Sequence, residues 1–379
     1  MRKEKLFREM KCKGKKIFAM SVAAAVFMSA ITTGYSCDKV NVSAAKKKIS
    51  TVKIGKAVVS TANGKVAVSK KNKTITLNQS GTYTFKGNFG SYRIIMNKRE
   101  LNVTVRLNGV TMSNSKTACI YNTKKSASLH IQLVKGTKNV LAGPASFPEV
   151  TGKTGSKKIS PDGVIMSDGN LKIWGSGSIN VKDTSSNGNA IDSKKDISIT
   201  SGNIFITSKN SGIHADNVNI SGGDISVTSS DTGIKASQKV MVDGGSVLVD
   251  AVDKGIQGRN GVTVKKGSIS IKARKSSNKK FEDFRGIAAG RSGKNGKTAV
   301  SADVNISGGK ISINSYGDCI HASANVNITD GTLSLTSTAD HGIRAKKTLS
   351  IKSSVKISIS SKKKKVKADS KNIASNINL

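Results

Sequence analysis

Four aspartates, Asp231, Asp253, Asp318 and Asp340, stand two or three residues ahead of an isoleucine at the same point of a recurring phrase. Asp162 stands two ahead of Val164 in a further copy. Carboxylates at equivalent points of neighbouring repeats, such as Asp231 and Asp253, repel across a short gap, and a divalent cation relieves them. An aspartate in a turn also serves by hydrogen-bonding its own backbone, and Lys235 and Lys254 lie close by. Both roles therefore stand open. A second group suits a sugar acid. Phe281, Phe284 and Tyr316 offer flat faces for a sugar ring, and Arg285, Arg291, Lys294 and Lys297 offer cations for carboxylates. Phe281 and Phe284 serve equally well as anchors of their own loop.

These residues are placed by a short repeat. Its clearest copy runs Gly212-Ile213-His214-Ala215, Val218-Asn219-Ile220, Gly222-Gly223, Ile225-Ser226-Val227. With the first isoleucine as anchor, copies fall at Val164, Ile191, Ile213, Ile234, Ile256, Ile287, Ile320, Ile343 and Val366. Uninterrupted spacings are 21 to 23 residues, and the longer ones of 27, 31 and 33 hold insertions. Such a period marks a solenoid, in which each rung buries its apolar side only against its neighbours. Within a rung the apolar residues alternate, as in Ile213/Ala215 and Ile225/Val227, which is the period of a strand. Three short strands per rung with Gly, Asn, Asp and Ser corners predict an all-β, right-handed parallel β-helix, its strands stacked about 4.8 Å apart. A β-sandwich would not return the same residue types to the same place in each rung.

The residue after each anchor then forms an outward ladder: Asp192, His214, Lys235, Gln257, Ala288, His321, Arg344 and Lys367. Stacked outward side chains on a flat sheet can follow an extended polymer. His214 and His321 are four rungs apart and cannot share a metal, and His341 beside Asp340 is a weak metal or acid–base pair.

The chain carries 63 Lys/Arg against 23 Asp/Glu, a net +40. Residues 1–45 read as a secretory signal, with a basic start, an apolar run from Ile17 to Ile31 and small residues at Val42-Ser43-Ala44. The expectation is a secreted protein, possessed outside the cell of an extreme positive charge that attracts acidic polysaccharide, an anionic wall or an anionic membrane. The same lysines also keep a long sheet soluble and its edges unpaired. No nucleic-acid motif is present, and a monomer is expected. Past the leader only Cys119 and Cys319 remain, both next to an anchor and seven rungs apart, about 34 Å by strand spacing, which excludes a disulfide.

Along the chain, 46–80 reads as a Lys-rich cap with β-like runs Thr51–Val59 and Val66–Ser69. The solenoid spans 81–361, and 362–379 is a Lys-rich polar tail that blunts the last edge. Three insertions interrupt it, Ala142–Asp162 with all three prolines, Ala273–Arg285 and Gly290–Ala302, the last two flanking Ile287.

Leu107-Asn108-Gly109-Val110, Asp162-Gly163-Val164, Leu171-Lys172-Ile173, Gly175-Ser176-Gly177-Ser178-Ile179 and the serial Gly-Ile-x-Ala rungs resemble the secreted bacterial carbohydrate-binding β-helix family. Members of that family bind pectic acid and cellulose and carry calcium on a fold similar to pectate lyases. The resemblance implies a non-catalytic protein for acidic, uronate-type polysaccharide, with calcium at Asp231, Asp253, Asp318 or Asp340. The net positive charge departs from that pattern and weakens the calcium assignment.

A lyase needs a base facing a cluster of cation-bound carboxylates, and a hydrolase needs two carboxylates across a cleft. The sequence sets no tight group of acids beside a base, and Glu282-Asp283 is the sole adjacent acidic pair in a long loop. The reading is therefore a binding protein. A wall-associated structural or adhesive protein, holding any polyanion by charge, is the alternative, with a polysaccharide lyase behind it.

Overall fold

The alternating apolar residues become the inner wall of a parallel β-solenoid of about 12 turns with rungs of ~23 residues, and no helix occurs among the described residues. The computed structural model describes residues 9–12, 15–18 and 49–379, apart from 63, 152–156, 276–283 and 292–297. The chain falls into two units, Met1–Lys47 and Lys48–Leu379. In the first, Glu9–Cys12 pairs antiparallel with Lys15–Phe18. Most of the apolar run and the expected cleavage point lie outside the described residues.

In the second unit each rung gives one strand to a 13-stranded sheet that starts at Val66–Ser69 and ends at Val366–Lys367. Its register stacks Ile191, Ile213, Ile234, Ile256, Ile287, Ile320 and Ile343 in one column. All seven side chains are fully buried. The second face stacks Val218, Val240, Val262, Val304 and Val326, and the third stacks Ile225, Val247, Ile269, Ile311 and Leu333. Each such side chain contributes roughly 1.5–3 kcal/mol by leaving water. The solenoid is thus held by its columns, one neighbour at a time.

The Gly-Gly corner lies between the second and third faces. Gly245 has φ +77°, and a Cβ there would stand 2.6 Å from the carbonyl oxygen of Gly223 on the rung before. In the middle rungs the corner no longer breaks the strand. Lys239–Ala251 runs through it, with a register shift at Asp243.

Three boundaries differ from those read in the sequence. The anchor of the ninth sheet strand from the C-terminal end is Ile165, which pairs with Ile120 and Ile191, not Val164. Both faces of Gly163–Ser167 are buried, so alternation no longer marks the inner one. Asp162 therefore stands three ahead of its anchor, as Asp231 and Asp253 do. The run Thr51–Val59 is two antiparallel strands, Ser50–Ile54 and Ala57–Thr61, which reverse at Gly55 with φ 58°. At the other end Val366–Lys367 and Ser370–Ile373 add a partial rung within the expected tail.

Candidate functional site

The corner just before several of the anchor strands carries an aspartate. On two successive rungs this corner holds Asp231 and Asp253, whose backbones are joined by Asp253 N–H donating to Asp231 O at 3.0 Å. They line an open cavity of about 370 Å³ together with Lys235, Lys254, Arg259 and Arg291. The nearly buried Lys254 Nζ lies 2.8 Å from Asp253 Oδ1. Ser211 Oγ donates to Asp231 Oδ2 at 3.2 Å. Four cations thus face two carboxylates, and an ammonium already occupies the place a metal would take at Asp253. Asp231 and Asp253 do not fit a calcium site.

Two of the cavity's side chains belong to the outward ladder, since Lys235 pairs in register with Gln257. A third comes from an insertion. Arg291 and Val300 exchange backbone hydrogen bonds at 3.0 and 2.9 Å, which closes the base of that loop. The Arg291 guanidinium donates to Thr298 O from Nε and Nη2 at 3.2 and 2.9 Å, so its position over the cavity is set.

Asp318, Asp340 and His341 form a second centre on the last rungs. One ligand atom of each lies within 4.8 Å of the others, and all three residues are buried. His341 Nδ1 is 3.2 Å from Asp318 Oδ1 and 2.6 Å from Asp340 Oδ1. Asp340 Oδ1 also lies 3.1 Å from Lys363 Nζ, on a half-exposed side chain. Asp318 Oδ2 meets His321 Nδ1 at 2.9 Å. Burial alone would raise the Asp318 carboxyl. The His321 hydrogen bond, with the charges of His321, Arg285 and Arg344, outweighs it and holds the carboxyl below its ordinary value. Burial first, then Arg285 and Arg344, push the His321 imidazole down against the pull of Asp318. Two buried carboxylates and an imidazole that converge within 4.8 Å offer a donor set for a divalent cation. The imidazole nitrogen in the set suits a transition ion better than calcium, which prefers oxygen alone.

Asp162 and Asp192 form a third cluster. Asp192 is fully buried and accepts from Asn189 Nδ2 at 2.7 Å, and His214 Nδ1 lies 2.8 Å from the same Oδ2. Lys194 Nζ lies 2.6 Å from Asp162 Oδ2 and 3.4 Å from Asp192 Oδ1. Burial and the Asp192 charge raise the Asp162 carboxyl despite Lys194. Lys194 therefore does here what a cation would do. Lys194→Met is expected to cost about 1–2 kcal/mol at neutral pH, less than a fully buried pair because Lys194 is 40% exposed. A raised carboxyl destabilises while ionised, so stability should return as pH falls through its folded value. Urea unfolding across acid pH reads this, and a loss that does not diminish on acidification would contradict it.

The stacking and carboxylate-pairing residues do not converge on one groove. Phe284 is 1% exposed and meets Tyr316 edge-on at 5.6 Å and 86°, so it anchors its loop and offers no sugar face. Tyr316 is half-buried and carries Lys275 Nζ 5.2 Å from its ring centre. Arg285 lies beside Asp318, whose charge it feels, and not with Arg291. Phe281, Lys294 and Lys297 lie outside the described residues. Cys119 and Cys319 are buried free thiols, and burial pushes each up to about 12.

A model of the carbohydrate-binding domain-containing protein family matches residues 71–340, more than half of the chain. The chain belongs to this family. The matched span of the carbohydrate-binding domain takes in the cavity at Asp231 and Asp253 and two of the three residues of the Asp318 centre, Asp318 and Asp340, with His341 directly after it. No curated protein matches. Among solved structures, the polysaccharide lyase-like protein from C. thermocellum, as its gadolinium derivative, is similar with 23% identity and a TM-score of 0.40. That likeness covers 84% of this chain and 93% of the other.

One surface of this carbohydrate-binding domain went unread in the sequence. Phe205 and Leu248, 49% and 51% exposed, lie on one outward ladder of the third face, joined through Ser226. Leu248, Ser226 and Asp250 help line a shallow cavity of about 410 Å³. The alternation Ile204-Phe205-Ile206 already sets the phenylalanine outward.

Proposed function

We propose that this carbohydrate-binding protein is exported, holds an acidic, uronate-type polysaccharide on the outer face of its anchor sheet, and does not cleave it. The observation that carries the reading is the cavity in which Lys235, Lys254, Arg259 and Arg291 face Asp231 and Asp253 on successive rungs. Arg291 and Arg259 suit a uronate carboxylate through paired N–H donors, and Asp231 and Gln257 suit sugar hydroxyls. Ladder side chains recur about every 4.8 Å, and the accessible His214, Lys235 and Gln257 offer contacts on three successive rungs to an extended chain lying across them. A divalent cation held by Asp318, Asp340 and His341 would neutralise two buried carboxylates and pin the last rungs. It takes no part in holding the sugar.

Binding of polygalacturonate, cellulose, heparin and teichoic acid, each at low and high salt, tests this. Exposed charge attraction is screened within about 10 Å at 0.1 M salt. Polygalacturonate should stay bound at high salt, and Arg291→Gln should weaken it about tenfold, the loss of one charged hydrogen-bonded contact. Equal binding of every polyanion that vanishes with salt would mean a wall-associated protein acting by charge alone. Accumulation of unsaturated oligosaccharide would overturn the non-catalytic reading.

A further inference from the structure

The corners ahead of the first three parallel anchor strands, Thr74–Leu77, Arg93–Met96 and Ile120–Asn122, differ from those farther along. Where later rungs carry aspartate, these carry Lys71, Lys73, Arg93 and Lys116 around a cavity of about 420 Å³, and no carboxylate lines it. None of the four is ion-paired among the described residues. The remaining wall is polar, with Ser91, Asn114 and Thr117 among its residues.

The cavity is built rather than merely lined. Asn114 is 6% exposed, and its Oδ1 accepts from the Lys116 and Thr117 N–H groups, both at 3.0 Å. Its Nδ2 donates to Ser91 O at 2.8 Å, tying two rungs together. The half-buried Arg93 guanidinium reaches only Thr74 Oγ1 and Thr117 Oγ1, each at 3.5 Å. A guanidinium has five N–H donors, so most of its fork is left for something else. Lys73 sits in the left-handed region at φ 50°, which a lysine adopts at some cost, and its ammonium is 5.1 Å from the Tyr92 ring centre. Four like charges around one space repel, and an anion placed among them is favoured.

We propose that this cavity is a second binding site, distinct from the one around Arg291, for oxyanion ester groups of a phosphorylated or sulfated polymer. Its size exceeds a single inorganic ion. Its three-rung span, about 10 Å by strand spacing, matches a segment carrying more than one such group. The Arg93 fork holds two oxygens of one group, the lysines act as point charges on the next, and the hydroxyls accept or donate as required.

Calorimetric titration of the full-length protein with inorganic pyrophosphate, a heparin tetrasaccharide and tetragalacturonate, at about 0.15 M salt, tests this. Pyrophosphate or the sulfated tetrasaccharide should bind, and whichever binds more tightly identifies phosphate or sulfate as the source. That binding should weaken about tenfold or more in Arg93→Gln/Lys116→Gln and remain unchanged in Arg291→Gln. If the first variant fails to fold, Lys71→Gln/Lys116→Gln, at two exposed positions, should show the same loss. The proposal is overturned if neither oxyanion binds or if the variants leave binding unchanged. It is also overturned if Arg291→Gln loses it equally, or if tetragalacturonate binds as well and depends on the same residues.

Discussion

Gly255→Val is expected to unfold the middle of the solenoid, and Gly255→Ala to cost about 3 kcal/mol. Gly255 precedes the anchor Ile256, and a Cβ there would stand 2.2 Å from Ile271 Cγ2 and 2.7 Å from the carbonyl oxygen of Gly286 on the next rung. The first obstacle is a core side chain of the third face. The second is backbone that already accepts the Ile256 N–H at 2.9 Å. The same crowding recurs at Gly212, Gly233, Gly286 and Gly342, each within 2.3 Å of an inward Val or Ile methyl. The Gly-Ile phrase is therefore a packing requirement at the tightest point of the rung. Overfilling such a core costs roughly 1–3 kcal/mol and sometimes more. Ile271→Ala should recover part of the Gly255→Ala loss by removing the methyl, but not all, because the carbonyl stays. Urea midpoints of the two single variants and the double variant measure this coupling. Ser270→Ala, on the exposed side of the same strand, should stay within about 0.5 kcal/mol. Strict additivity of Gly255→Ala and Ile271→Ala would show that the glycine is not held by that contact.

That crowding explains why the architecture was legible from residue types alone. A glycine forced by sterics precedes the anchor in five rungs, and an isoleucine forced by burial recurs in nearly all, so the period and the strand alternation both survive in the sequence. Legibility fails where one of the two is lost. At Gly163–Ser167 the outer face is buried as well, and the anchor reads one residue early, the slip that a two-residue period permits. The site was less legible, because a corner aspartate looks alike whether it meets a lysine or stands beside a second carboxylate and an imidazole. Asp253 and Asp340 occupy the same place in the phrase, yet the first meets Lys254 Nζ while the second meets His341 and Lys363 beside the carboxylate of Asp318. Which rung a partner folds onto decides this, and insertions of unequal length hide that from a linear reading. The basic corners around Arg93 were hidden differently. Their lysines merge into a chain with net +40, and only the fold separates four that share a cavity from the many that do not.

Asp318→Asn and Asp340→Asn should behave differently, and the contrast decides whether the last rungs hold a metal. Asp318 is 2% exposed and its two oxygens serve three groups, His321 Nδ1, His341 Nδ1 and the His341 N–H at 3.3 Å. An asparagine there places an NH2 donor against one of these donors and removes the charge felt by Arg285 and Arg344. Removing one member of a buried charged set costs roughly 3–5 kcal/mol, so Asp318→Asn should lose about that much with or without chelator. The stability of a solenoid is local, and hydrogen exchange should therefore rise over Ile320–Ala322 and Ile343–Ala345 while Thr74–Leu77 stays protected. Asp340 Oδ1 lies 2.6 Å from His341 Nδ1 and 3.1 Å from the half-exposed Lys363 ammonium, so in chelator Asp340→Asn should cost less than Asp318→Asn, about 1–2 kcal/mol. Zinc or manganese should raise the melting temperature of the wild-type protein, and that rise should be absent from both variants. At a hundredfold excess over Kd, such a ligand adds about 2.7 kcal/mol. If Asp340→Asn destabilises equally in chelator and no divalent ion shifts the wild type, Lys363 and His341 already satisfy the carboxylate, and the cluster is a charge network without a metal.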